Sequence, residues 1–184
     1  METARKKNVI LMGFKGCGKT TVGGPLADAL GVPFVDTDRL IEKIYEEKEG
    51  PSLTCREIFQ KRGETFFRDL EREALEKVCN LGEAVIALGG GAIEHPELLA
   101  RLKQNGLLVY LQVSSEELFR RIESQGLPPF LSPEDPRRAF EELLQKRSSL
   151  YEEWADAEVS NGGGPVSEVV SKIAALVGGK YARK

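Results

Sequence analysis

The sequence predicts an α/β fold in which a parallel sheet is covered by helices on both faces. Two observations carry this reading. Apolar runs of strand length alternate along the chain with amphipathic helical segments, the rhythm of repeated strand–helix units. The first run, Val9-Ile10-Leu11-Met12, is apolar without alternation, as a central strand buried on both sides must be. With 184 residues, 41% of them apolar, the chain suits one substantial core and one domain.

Taken in order, strands are predicted at 8–13, 33–36, 84–88, 106–113 and 157–160. Helices are predicted at 19–30, 38–47, 54–62, 64–80, 96–104, 115–123, 137–153 and 166–177. Gly31 closes the first helix, Ser114 or Ser115 followed by Glu116 and Glu117 opens the sixth, and Pro96 stands in an early helical turn. Between two helical patterns, residues 126–136 hold four prolines and one glycine, the composition of a loop. It reads equally as a surface connection or as a lid.

A formal net charge of −3 with 30% charged residues lacks the basic face that sequence-independent nucleic-acid binding requires, so no nucleic-acid partner is expected. The basic opening METARKK precedes only a short strand-like run, unlike a signal peptide. No apolar run reaches the roughly 20 residues of a membrane span, so no membrane partner and a cytoplasmic location are expected. Cys17, Cys55 and Cys79 form no C-x-x-C pair, which argues against a zinc site or a disulfide framework. Cys17 is either a small filler of a loop position or a thiol activated by nearby amides and a lysine.

The strongest local signal is Gly13-Phe14-Lys15-Gly16-Cys17-Gly18-Lys19-Thr20, which satisfies G-x-x-x-x-G-K-[ST] between a buried strand and a helix. Glycines let successive backbone N–H groups turn toward nucleotide phosphates at a helix N-terminus. Lys19 then reaches the β and γ phosphates, and the Thr20 hydroxyl is a ligand for Mg²⁺. This motif alone does not separate kinases from GTPases or motors.

Asp36-Thr37-Asp38 closes the second predicted strand, on the carboxyl edge where such sheets bind ligands. Asp36 can hold a Mg²⁺ water near Thr20, and Asp38 can take a proton from an attacking hydroxyl. Either can instead cap the helix that follows. Gly89-Gly90-Gly91 follows the third predicted strand, and a run without side chains lets backbone approach a ligand closely. Arg68, with Glu64 and Glu71 at helical spacing, and Arg147 read by spacing alone as solvated helix faces. His95 and Trp154 read as structural residues.

Five strings, the phosphate loop, Asp36-Thr37-Asp38, Phe66-Phe67-Arg68-Asp69-Leu70-Glu71, Gly89-Gly90-Gly91 and Lys146-Arg147-Ser148-Ser149-Leu150-Tyr151, stand in the order seen in shikimate kinases, which the chain resembles from about Asn8 to Val177. The resemblance implies a three-layer P-loop kinase fold with a five-stranded parallel sheet of order 2-3-1-4-5. It implies core segments 8–36, 81–124 and 136–178, a helical substrate-binding region at 37–80 and a lid at 125–136. It implies transfer of the ATP γ-phosphate to the 3-hydroxyl of shikimate with Mg²⁺, by a monomer. Asp38 then meets the shikimate hydroxyls, Arg68 and Arg147 its carboxylate, and Gly89, Gly90 and Gly91 its ring, while Glu71 braces Arg68. Lys15 and Lys19 flank the transferring group, and Thr20 and Asp36 serve the metal. Gly13, Gly16, Cys17, Gly18 and Thr21 join the ATP contacts, with Arg120 and Pro165 (in the 161–165 stretch) at the base.

One position departs from the family. Shikimate kinase lids usually carry an arginine immediately before the proline, and this chain has Leu127 before Pro128. The expectation is reduced transfer unless Arg121, Arg137 or Arg138 reaches inward. Two other readings stay open: a kinase of another small hydroxylated acceptor, and an ATP-binding module without catalysis.

Overall fold

The computed structural model describes residues 8–131 and 134–181. Strand β1 (Asn8–Met12) is buried at all five positions, which is why its sequence shows no alternation. It lies centrally in a five-stranded sheet with β2 (Phe34–Asp36), β3 (Val85–Ala87), β4 (Gly106–Gln112) and β5 (Ala157–Ser160). The order is β2-β3-β1-β4-β5 and every pairing is parallel, as the resemblance implies. Ile10 stands opposite Ile86 on one side and Leu108 on the other. Because all strands run the same way, the phosphate loop, Asp36 and the glycine run all leave the sheet at one edge.

Helix α1 (Lys19–Leu30) packs on β2 and β3 and against the final helix α7 (Val166–Tyr181). On the other strands, α4 (Pro96–Asn105) and α6 (Pro136–Trp154) pack against β4, and α5 (Ser115–Ser124) packs on α6. Helices α2 (Thr37–Glu49) and α3 (Cys55–Cys79) pair with each other around Ile41, Ile44, Tyr45, Ile58, Leu70 and Ala74, a small core separate from the main one. That second core gives residues 37–80 their own packing.

The two helices predicted at 54–62 and 64–80 are the two stretches of α3, which meet at a non-helical break at Gly63 (φ 82°, ψ 175°), a conformation that side chains with a Cβ avoid. Its start is a reciprocal cap in which Thr54 and Glu57 satisfy each other's backbone N–H. Helix α2 begins at Thr37, not Asp38, because the Asp36 carboxylate accepts from the Asp38 N–H at 3.0 Å and makes Asp36 the N-cap. No described helix is long and apolar enough to cross a membrane.

Candidate active site

A cavity of about 580 Å³ opens at the carboxyl edge of the sheet. Its wall on one side is the phosphate loop and on the other α3, with the segment after α5 over it. Lys15, Gly16, Gly18, Lys19, Thr20, Thr21, Asp36, Asp38, Arg68, Gly90, Gly91 and Arg147 all line it, so residues far apart in sequence share one space. Gly13, Cys17, Gly89, Arg120 and Pro165 are not among the lining residues.

The phosphate loop is held by its own chain. Gly16 and Gly18 take φ of 84° and 94°, and Gly18 caps α1, so the helix N-terminus faces the cavity. The Lys19 ammonium donates to the Gly13 and Phe14 carbonyls at 2.8 and 3.1 Å. Asn161, buried, donates to the Cys17 carbonyl at 2.8 Å, and Arg121 donates to the Gly16 carbonyl at 3.2 Å. Arg121 also bonds the Asn161 carbonyl and the Glu117 carboxylate. Arg120, its neighbour, lies on the outside in a bidentate pair with Glu117. Cys17 is buried with Sγ 3.5 Å from Lys19 Nζ, so it fills the loop interior.

Asp36 uses one carboxylate oxygen to cap α2 and the other to accept from the Thr20 hydroxyl at 2.7 Å. Thr20 and Asp36 thus present hard oxygens side by side at the phosphate loop. This donor set fits Mg²⁺, which keeps several waters and phosphate oxygens and needs few protein ligands. Among the described residues no cluster of three or more His, Cys, Asp or Glu could hold a metal without such partners.

With Asp36 spent on the cap, Asp38 is left to face the cavity. The residue is open to the cavity by its surface, yet protein groups crowd the carboxylate itself. Burial first, and the Asp36 charge second, raise its pKa from 3.8 to about 6 against the opposing pull of Lys19 and Lys15. Cys55 donates its thiol hydrogen to the Asp38 carbonyl at 3.3 Å, and burial, then the Asp38 charge, push that thiol well above its ordinary pKa.

The glycine run is small because side chains press on it. A Cβ on Gly89 would stand 2.5 Å from Asp38 Oδ1, and one on Gly91 would stand 2.1 Å from Arg68 Nη1. No residue of the run has a positive φ, so close approach, not backbone freedom, requires glycine. Thr37 accepts from the Gly89 N–H, and buried Tyr151 donates to the Gly90 carbonyl, both at 2.8 Å.

Arg68 and Arg147 converge at this end of the cavity. Arg68 donates to buried Glu71 at 2.8 Å, and His95 Nε2 lies 3.4 Å from the same Glu71 carboxylate. Arg147 is only 4% exposed, packs over Phe14 and Phe130, and donates to Glu94 from Nη2 at 2.8 Å. A helix-face arginine would be solvated, so its burial departs from the bland sequence reading. Burial works to raise the Glu94 pKa, but the Arg147 hydrogen bond and the charges of Arg147, Arg68 and Lys146 outweigh it and hold Glu94 ionised.

The proline-rich segment covers the cavity with Pro128, Pro129 and Phe130, and Leu127 is largely exposed. Ser132 and Pro133 of the expected lid lie outside the described residues. Of the three arginines weighed as replacements, Arg137 and Arg138 pair with Glu141 and Glu142 along α6, while Arg121 lines the cavity and reaches the Gly16 carbonyl. Arg56, which the sequence did not single out, holds the segment itself: from α3 its Nη2 donates to the Gly126 and Leu127 carbonyls at 2.6 and 2.9 Å, and it lines the cavity.

A family model described as "Shikimate kinase" matches residues 15–177. The chain belongs to the shikimate kinase family. A shikimate kinase of Thermodesulfovibrio yellowstonii is 40% identical over 91% of this chain and 92% of its own length. One from Caldanaerobacter subterraneus subsp. tengcongensis is 37% identical over 91% of this chain and 94% of its own. Among solved structures, shikimate kinase from Acinetobacter baumannii in complex with shikimate is similar with a TM-score of 0.83, 35% identity and 96% coverage of both chains. For a shikimate kinase family member, the residues that sequence reasoning missed are Arg56, Glu94 and Tyr151, each joined to the site by contacts between distant segments.

Proposed function

We propose that the chain transfers the γ-phosphoryl group of ATP to the 3-hydroxyl of shikimate, giving shikimate 3-phosphate and ADP. The observation that carries this reading is one cavity with a phosphate loop on one side and, on the other, a carboxylate base with two converging arginines. An acceptor bearing both a hydroxyl and a carboxylate suits that pairing, since arginine's planar fork matches a carboxylate. The shikimate bound to the Acinetobacter relative supports the same acceptor.

In this reading Lys19, the loop N–H groups and the α1 N-terminus hold the phosphates, and Lys15 faces the transferring group. Asp38 accepts the 3-hydroxyl proton while that oxygen bonds to the γ-phosphorus and ADP departs. Thr20 and Asp36 would hold Mg²⁺, which neutralises developing charge on the phosphates when bound. Thr21 lies beside the phosphates, and the base lies between Arg121 of α5 and the 161–165 stretch, with Arg120 turned outward. Gly89, Gly90 and Gly91 back the ring, residues 37–80 serve as the acceptor-binding region, and 125–136 act as lid.

Arg68→Ala tests the acceptor assignment. Loss of one partner of a paired carboxylate contact costs about 2–5 kcal/mol, so KM for shikimate is expected to rise at least about 30-fold while KM for ATP stays within a few-fold. An equal rise in both constants would sink the assignment.

Leu127 leaves the lid without its usual arginine, and Arg56 is the guanidinium that grips the lid backbone at that same residue. Arg56→Ala is expected to lower kcat about tenfold by loosening lid closure. Adding Leu127→Arg should recover part of the loss; unchanged turnover in Arg56→Ala alone would remove Arg56 from the account.

A further inference from the structure

The two arginines assigned to the acceptor's carboxylate already engage a carboxylate of the chain, one that flanks the cavity without lining it. Glu94, the last residue of the short 3₁₀ turn Ala92–Glu94 after the glycine run, sets Oε1 2.8 Å from Arg147 Nη2 and 3.3 Å from Arg147 Nε. Its Oε2 is 3.9 Å from Arg68 Nη2. Both Arg147 nitrogens converge on the one oxygen Oε1, so Glu94 occupies hydrogen-bonding capacity that a carboxylate ligand would use. We propose that Glu94 is an internal occupant of the carboxylate subsite, which shikimate displaces on binding, so that Glu94 sets acceptor affinity and not the rate of transfer. This rests on the function proposed above.

Charge balance is the first argument. The cations Arg68, Arg147 and Lys146 face the carboxylates Glu64, Glu71 and Glu94, so the charges of the cluster are already balanced before an acceptor arrives. A further carboxylate at the same guanidinium groups would meet like charge in a cavity that screens it poorly. One carboxylate must move away.

Mobility selects which. Glu71 is 3% exposed and its Oε2 is bonded to Arg68 and lies 3.4 Å from His95 Nε2, so it has nowhere to go. Glu64 sits at the exposed end of Arg68, 3.4 Å away, and does not touch Arg147. Glu94 has a side chain 32% exposed, and the field of Lys146 awaits it outside. Its backbone is fixed by a 2.9 Å bond from its N–H to the Gly91 carbonyl, so rotation of the side chain alone frees Arg147.

The test is calorimetric binding and steady-state turnover of the full chain and of Glu94→Gln, using shikimate and its uncharged methyl ester. Glu94→Gln keeps the size and a hydrogen-bonding oxygen but removes the competing charge. The expected result is about tenfold tighter binding and lower KM for shikimate, which corresponds to about 1.4 kcal/mol, with kcat within twofold and ATP binding unchanged. Affinity for the methyl ester should not improve. Unchanged or weaker shikimate binding in Glu94→Gln, or an equal gain for the ester, overturns the displacement and makes Glu94 a support for Arg147. If the unsubstituted chain turns over shikimate normally, that failure leaves the proposed function standing; if neither protein binds shikimate, both fall.

Discussion

Asp38→Asn is expected to lower shikimate-dependent kcat by about 10²–10⁴-fold, the usual range for a positioned proton acceptor, while ATP affinity stays within a few-fold. Asparagine keeps the shape and loses the ability to take the hydroxyl proton. Asp36 cannot substitute, since its two oxygens are committed to the α2 cap and to Thr20. The same assignment fixes a pH profile. Transfer needs Asp38 ionised, and its pKa stands raised from 3.8 to about 6, so activity is full above that value and lost as pH falls through it. At saturating Mg-ATP, kcat/KM for shikimate should drop about tenfold per unit below that pH. A profile flat to pH 5, or an Asp38→Asn variant of near-normal turnover, would assign the proton to another group.

Lys19→Met is expected to lower kcat by about 10²–10³-fold, the loss seen when one preorganised donor to developing charge is removed. The ammonium is held at the loop by the Gly13 and Phe14 carbonyls. Methionine retains the stem and removes both the charge and those bonds. The expected signature is a fall in kcat larger than any rise in KM for shikimate, because the acceptor arginines lie elsewhere in the cavity. A variant that loses only acceptor affinity would contradict the division of the cavity into a phosphate side and an acceptor side.

How far the sequence led depends on how local each signal is. The phosphate loop was legible because strand, glycines, lysine and helix are contiguous, and the all-apolar first strand announced a sheet buried on both faces. Asp36-Thr37-Asp38 was legible as a site but ambiguous in role. Only the bond from the Asp38 N–H to Asp36 assigns the cap to one acid and leaves the other free. Arg68 and Arg147 looked like surface residues, since spacing along a helix says nothing about what the neighbouring elements cover. Burial of Arg147 beneath the lid's Phe130 depends on a fold that brings 130 back over 147.

Arg56 did leave a trace. A cation in the first turn of a helix opposes the helix dipole, so its presence after Thr54 hints at a partner elsewhere, here the lid backbone. Arg121 was legible only as one of three candidates, because Glu117 four residues earlier supplies an ordinary helical pair that hides its contact with the Gly16 carbonyl.

The central claim is that one cavity couples ATP to the shikimate hydroxyl, and the most direct measurement is ADP release from Mg-ATP with and without shikimate. The account predicts release that depends on shikimate and yields shikimate 3-phosphate in equal amount. Tight ATP binding with no stimulation by shikimate would contradict it.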